Sequence, residues 1–328
     1  MFTECAICLV TDENFLLVTL IAVLQMRQYV AAHAADIFIF FTGPMNDRAQ
    51  QVIRFCEPQG IRLVPLDSRA YSDYDENQLN RADTGIPPVA LGRLVIENLL
   101  PASCKRIVYL DGDTWIKGDP TPLINAVVPP GRFAAAEDTS SFCRYDITRN
   151  GGAVRSYLRG IGVDLRKGYF NTGVMAASRE TWRQVMAEAY GFFLKNTFAC
   201  RYYDQSAINA VADDRRIPLS LAWNFQTHYR MLDVERRIAP RIFHFTNAPK
   251  PWMVRLQPWP EMFDRYAEEF RRLAFLNLPH RTVPAEDVKT ANARAIRERH
   301  KMKYLLPLRW HMRHRNIDTY QAGAFCGM

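Results

Sequence analysis

No stretch of this 328-residue chain is apolar for long enough to span a bilayer. The most apolar run, FLLVTLIAVLQM at residues 15–26, has 12 residues, against the roughly 20 of a membrane helix, and it reads as a core helix. The opening residues MFTECAICLVTDENF have no basic region before their apolar part, and Asp12 and Glu13 interrupt them early, so no secretory signal is read there. The seven cysteines, at 5, 8, 56, 104, 143, 200 and 326, lack the spacing of a disulfide framework. Strand alternation turns Cys5 and Cys8, the one C-x-x-C pair, to opposite faces, which suits neither a metal clip nor a redox pair. Buried free thiols in a reducing cytoplasm are expected instead. Internal repeats and low-complexity segments are missing as well, and 48% hydrophobic residues with 12% aromatics exclude a disordered protein.

The body of the chain also lacks net charge. Residues 294–315 contain eight Lys or Arg against one acid, Glu298, so they carry +7 of the chain's +8 and leave only +1 elsewhere. An anionic partner is therefore expected at the tail. In RERHKMKYLLPLRWHMRHR the cations alternate with Leu, Trp and Tyr, which suits an anionic membrane surface. A solvated basic helix packed on the domain is the alternative. No nucleic acid partner is expected, because a body of +1 is unsuited to a phosphate backbone.

What is present is an alternation of short apolar runs and helix patterns. CAICLV, DIFIFF and IRLVPL read as strands, and FLLVTLIAVLQMRQYV and DRAQQVIRFCEPQG as the helices between them, the second ended by Gly60. Thr11, Asp12 and Asn14 stand where N-cap residues belong. This order predicts a parallel sheet with helices on its faces. VALGRLVIENLLP predicts a further helix, and KRIVYLDGDTWIKG the central strand leading into two acids. GYFNTGVMAASRETWRQVM reads as strand then helix, DQSAINAVA as a helix start and RIFHFT as a last strand. WPEMFDRYAEEFRRLAFL predicts a helix before the basic segment.

Asp111 and Asp113 flank Gly112 at the end of that central strand. A glycine there permits a tight turn that brings both carboxylates to one point, a suitable pair of ligands for a hard divalent ion. Open α/β sheets bind ligands at the carboxyl ends of their strands, where this turn falls. Turn residues without chemistry would look the same. A phosphatase motif of the form D-x-D-x-[TV] fits poorly, since Trp115 stands two positions beyond Asp113.

YLDGDTWIKGDPTPL, GYFNTGVMAAS, YYDQSAIN, LAWNFQ and FHFTNAPKPW occur in this order over residues 109–252. Together they resemble the family 8 retaining glycosyltransferases, which include bacterial lipopolysaccharide galactosyl- and glucosyltransferases and glycogenin. VTDENFLL resembles that family's first nucleotide-contacting loop. The resemblance implies a glycosyltransferase A-type nucleotide-binding fold with a mixed, mostly parallel sheet flanked by helices. The change of pattern over roughly the last 70 residues sets the nucleotide-sugar-binding catalytic domain at 1–255 and leaves 256–328 as a helical, basic C-terminal extension.

The resemblance also implies roles. Asp111 and Asp113 look like the D-x-D ligands of Mn2+ or Mg2+, with His244 as third ligand; His244 alternates with Phe243 and Phe245 and so faces the other way from both. Lys250 resembles the family lysine that donates to the leaving phosphate. Asn247 stands where the family usually has glycine. Thr11, Asp12 and Asn14 resemble the residues that read uracil and ribose, and Arg93 the basic residue beside the donor. Asn171 and Thr172 would meet the donor sugar hydroxyls, with Asp204 and Gln205 at the reacting face. Gln205 is a poor nucleophile, which favours a front-face route to retention over a double displacement.

The expected activity is transfer of galactose or glucose from a UDP-sugar to a glycan or glycolipid acceptor, lipopolysaccharide or a related surface glycan, by a cytoplasmic protein peripheral on the inner face of the membrane. A non-catalytic sugar-nucleotide binder of the same fold is the alternative, and a nucleic-acid-binding protein the more distant one. The polar loop at residues 67–88, with Tyr71 and Tyr74, is the expected acceptor lid.

Overall fold

The computed structural model describes residues 2–67, 88–280, 292–293, 296–297, 299–300, 303 and 307–325. The expected lid at Tyr71 and Tyr74 lies outside the described residues.

Strands β1 (Cys5–Thr11), β2 (Asp36–Phe41), β3 (Ile61–Pro65) and β4 (Arg106–Leu110) fall where the apolar runs predict them. β5 (Thr114–Ile116), β6 (Phe133–Glu137), β7 (Phe170–Ser178), β8 (Arg216–Pro218), β9 (Phe225–Gln226) and β10 (Ile242–His244) follow. Among the described residues one sheet has the order β3-β2-β1-β4-β7-β6-β8 and a smaller one the order β5-β10-β9. In the large sheet β7 alone runs against its neighbours β4 and β6, so the sheet is mixed and mostly parallel.

Both faces of the large sheet are covered. Cys5, Ile7 and Leu9 pack in one core with the helix Leu16–Arg27, while Ala6, Cys8 and Val10 pack in the other with Tyr109 and Trp182. The alternation therefore separates Cys5 from Cys8 as expected, and the six described cysteines are free and buried. Gly60 closes the helix pattern at Asp47–Cys56 and its following turn with φ +67°, a left-handed position that glycine takes without steric cost.

Two local expectations are corrected. Residues 88–99 form a series of 3-10 turns and not one helix. The segment lies directly on β1: a Cβ on Gly92 would stand 2.6 Å from Val10 Cγ1 and 2.8 Å from Leu66 Cδ2. Its side chains are buried on nearly every side, so a regular helix with one apolar face has no advantage here. The N-cap of the helix Leu16–Arg27 is Phe15, without a side-chain cap. Asp12 Oδ1 instead accepts from the Phe15 N–H at 3.0 Å, in the turn before the helix.

The helix Pro260–Arg272 brings Met262 and Tyr266 into the first core, with Tyr266 edge-on to Trp115 at 5.0 Å. The last helix, Pro307–Ala322, packs by Ile317, by an Arg313–Asp146 ion pair of 2.8 Å, and by Tyr320, whose hydroxyl donates to the Leu219 carbonyl at 2.7 Å. Phe325 then bridges Leu219 beyond the β8 edge. On this helix Leu308 and Met312 stay exposed.

Candidate active site

The chain leaves β1 outward through β2 and β3, then returns to pair β4 on the other side of β1. At such a reversal a crevice opens beyond the carboxyl ends of the two strands. Thr11 ends β1 there, residues 12–14 follow it, and residues 111–113 follow β4.

The turn Asp111–Gly112–Asp113 joins the two sheets and is held by both. The Asp111 N–H donates to the Gly173 carbonyl in β7 at 2.8 Å, and the Phe245 N–H, just after β10, donates to the Asp113 carbonyl at 3.1 Å. Gly112 is needed for a different reason from the one its sequence position suggests. The left-handed glycines among the described residues are Gly60, Gly131, Gly162 and Gly168, so Gly112 does not supply a positive φ. A Cβ at Gly112 would overlap Thr19 Oγ1, so it is closeness to the helix Leu16–Arg27 that excludes a side chain.

His244 meets the two carboxylates from β10. Its Nε2 lies 3.5 Å from Asp111 Oδ2 and 3.2 Å from Asp113 Oδ1, and one donor atom from each of the three residues lies within 4.8 Å of the others. Phe243 and Phe245 point the other way, onto Trp259 at 4.8 and 5.0 Å, as the alternation requires. The ring's other nitrogen, Nδ1, faces Asn224 Oδ1 at 2.9 Å. Beneath the group is Gly173, where an added Cβ would overlap His244 Cε1 and stand 2.7 Å from Asp111 Oδ2. Two carboxylate oxygens and an imidazole nitrogen, drawn together over a floor without a side chain, fit a divalent cation.

Two cations of the chain flank this group. Lys250 Nζ donates to Asp113 Oδ2 at 2.6 Å and to the Phe245 carbonyl. Burial acts to raise the Asp113 carboxyl, but the Lys250 ammonium and the His244 ring overcome it and hold the group below the usual carboxylate range. Arg93, nearly buried over the Tyr109 ring, is shared: Nη2 donates to Asp111 Oδ1 at 2.7 Å and Nε lies 2.5 Å from Asp204 Oδ2. Burial pushes the Asp204 carboxyl up to about 6, because Arg93 divides its charge with Asp111 and the Asp111 charge opposes a second anion.

Beyond Arg93 lies a set of amides. Gln205 Oε1 accepts from Asn171 Nδ2 at 3.0 Å and from the Thr172 N–H at 3.2 Å, and its Nε2 donates to Asp138 Oδ2 at 3.3 Å. The fold therefore brings Arg93, Asp111, Gly112, Asp113, Asn171, Thr172, Asp204, Gln205, His244 and Lys250 into one connected site. Thr11 is one step away: its hydroxyl accepts from Thr19, the residue that abuts Gly112, at 2.9 Å. Asp12 is half-buried and Asn14 exposed on the same rim. Asn247 is exposed on the turn before Lys250, and it is not among the left-handed residues, so this turn does not require glycine's freedom. Two residues were missed. Asp138 follows β6, FAAAE, a carboxylate at a strand's carboxyl end, and Asn224 interrupts the apolar residues of LAWNF.

The model of the family described as Glycosyl transferase family 8 matches residues 6–254. General stress protein A of Bacillus subtilis (strain 168) is 28% identical over 209 residues, covering 58% of this chain and 67% of that protein. The lipopolysaccharide 1,2-glucosyltransferase of Escherichia coli (strain K12) is 24% identical over 174 residues, 49% of this chain and 48% of that one. A solved structure of the galactosyltransferase LgtC with donor and acceptor sugar analogues superposes with a TM-score of 0.61 at 18% identity, over 86% of this chain and 98% of that one. At that identity the likeness is one of fold, the glycosyltransferase A type.

Proposed function

This chain belongs to glycosyl transferase family 8, and from that premise we propose that it is a metal-dependent retaining hexosyltransferase that moves galactose or glucose from a UDP-sugar to a glycan acceptor. The observation that carries the reading is the meeting of Asp111, Asp113 and His244 beside Lys250 in the crevice between β1 and β4. Mn2+ or Mg2+ held by those three residues would screen the donor's two phosphates and stabilise UDP as it leaves.

The chain's own residues take the remaining work. Lys250 moves from Asp113 to the leaving phosphate, where charge develops. Thr11, Asp12 and Asn14 hold the nucleoside, Asn247 lies along the phosphates, and Asn171, Thr172 and Arg93 surround the donor sugar. Asp204, held by Arg93, and Gln205, held by Thr172 and Asn171, line the reacting face. Because Gln205 Oε1 is already committed to two donors and Asp204 to a cation, neither is a free nucleophile, which supports the front-face route.

The acceptor is read as lipopolysaccharide or a related surface glycan, supported by the similarity to the Escherichia coli lipopolysaccharide 1,2-glucosyltransferase. The nucleotide-sugar unit is placed at 1–255, with 256–328 as its basic helical extension. Residues 294–315, with exposed Leu308 and Met312, set the protein on an anionic membrane surface from the cytoplasmic side. No helix among the described residues is long and apolar enough to cross a membrane.

UDP release from a panel of UDP-sugars, with and without Mn2+, tests the reading. Metal-dependent release from one sugar nucleotide, lost in Asp113→Ala, is expected. Release that ignores both Mn2+ and the Asp113→Ala change would refute the metal role, and a folded wild type that binds no UDP-sugar in calorimetry would refute the transferase.

A further inference from the structure

The His244 ring ends a hydrogen-bonded chain whose direction is fixed elsewhere. Two backbone groups that can only donate begin it: the Gly173 N–H to Asn171 Oδ1 at 2.9 Å and the Thr172 N–H to Gln205 Oε1 at 3.2 Å. A carboxylate that accepts lies on the far side, where Asp138 Oδ2 takes Asn171 Nδ2 and Gln205 Nε2, each at 3.3 Å. Asn171 can therefore be turned only with its oxygen toward Gly173. Asn224 Nδ2 donates to that same oxygen at 2.8 Å, which leaves Asn224 Oδ1 against His244 Nδ1 at 2.9 Å. An amide oxygen only accepts, so Nδ1 must carry the hydrogen. Nε2 then presents a lone pair to Asp111 and Asp113.

The two carboxylates alone would select the opposite form. Each accepts, so a neutral ring facing only them would put its hydrogen on Nε2 and donate it, closing off the ligand atom. Asn224, fully buried, opposes that preference. We propose that Asn224 is a positioning residue of the metal centre, which fixes His244 as the Nδ1–H tautomer so that Nε2 is ready to ligate before an ion arrives. The proposal rests on the reading of Asp111, Asp113 and His244 as a metal site.

The test uses the metal-free protein, labelled with 15N-histidine and examined by NMR under alkaline conditions where imidazole is neutral, with His244 assigned by its loss in His244→Gln. Wild type is expected to show the Nδ1–H pattern. Asn224→Leu is expected to show the Nε2–H pattern and to bind Mn2+ about 10–100-fold more weakly, read by the resonance of free Mn2+. Asn224→Asp keeps an accepting oxygen toward Nδ1 although it loses the donor toward Asn171 Oδ1, and it should still give the Nδ1–H form. An Nε2–H pattern in wild type overturns the proposal, whether or not Asn224→Leu folds. A folded Asn224→Leu with wild-type Mn2+ affinity also overturns it. A wild type in the Nδ1–H form that binds no Mn2+ overturns the metal reading and the proposal with it.

Discussion

Gly173 is the position where a single methyl group should separate metal binding from folding. The Cβ added in Gly173→Ala would overlap His244 Cε1 and stand 2.7 Å from both His244 Nδ1 and Asp111 Oδ2. Ordinary carbon contacts lie at about 3.5–4.0 Å, so the ring and the carboxylate must retreat by about 1 Å. The strand cannot absorb that shift, since the Gly173 N–H is tied to Asn171 and its carbonyl to the Asp111 N–H. The ring can retreat only by straining its contacts with Asn224 and β10, while Asp111, 24% exposed, is the freer of the two groups. Overpacking of this kind costs about 1–3 kcal/mol, or a fall in Tm of about 1–4 °C for a chain of this length, and the protein should stay folded. Ligand distances in metal sites hold to within about 0.2 Å, so Mn2+ affinity should fall by about 10–100-fold. Titration followed by the free Mn2+ resonance, beside thermal unfolding, gives both numbers. Gly191→Ala, where an added Cβ meets nothing within 4 Å, is the matched control. A folded Gly173→Ala with wild-type Mn2+ affinity would refute the placement of the ion over this floor.

Lys250→Met should move two affinities in opposite directions. The ammonium already offsets Asp113 at 2.6 Å, so without it donor-free protein should bind Mn2+ about tenfold more tightly, a gain of about 1.4 kcal/mol. UDP should bind about tenfold or more weakly for loss of a charged hydrogen bond of about 1.5–3 kcal/mol; calorimetry showing both affinities reduced would contradict the exchange of partners. Asp204 sets a pH dependence in the metal-free protein. Its folded carboxyl, at about 6, lies above the unfolded value of about 3.9, so between these the folded state holds more protons and stability falls as pH rises. The loss approaches about 3 kcal/mol above pH 6. Urea unfolding at several pH values should show that slope reduced in Asp204→Asn, and an unchanged slope would refute the assignment.

Local pattern made much of this legible. The runs at β1, β2 and β3 are bounded by helix signals, and they formed the strands they predict. His244 could be aimed from sequence because its neighbours are both phenylalanine, and burying both leaves it one direction. Asn224 and Asp138 could not be aimed. Their partners stand 20 residues away for Asn224 and His244, and 67 for Asp138 and Gln205, and neither pair is related by a strand or helix period. Residues 88–99 misled for the opposite reason: their helix-like pattern is real, but burial against β1 at Gly92 removed the exposed face on which such a pattern depends. At Gly112 the position was read well and its physics was not, because crowding by Thr19 has no signature in the turn itself.

The position of His244 in the proposed metal centre depends on strand register, and that register is set outside the motif. β10 runs antiparallel to β5 with His244 opposite Thr114 and Phe243 opposite Trp115, which puts the ring one residue from Asp113. A slip by one residue would turn a phenylalanine into the site and the histidine into the core. What forbids the slip is the aromatic cluster on the other face. Phe243 and Phe245 contact Trp259, and Phe245 also meets Trp252 and Tyr266. Tyr266 and Trp259 come from the helix Pro260–Arg272 and its N-cap, after the matched residues 6–254 end. The helix thus takes part in holding His244 beside Asp111 and Asp113, though it contributes no atom to the candidate site.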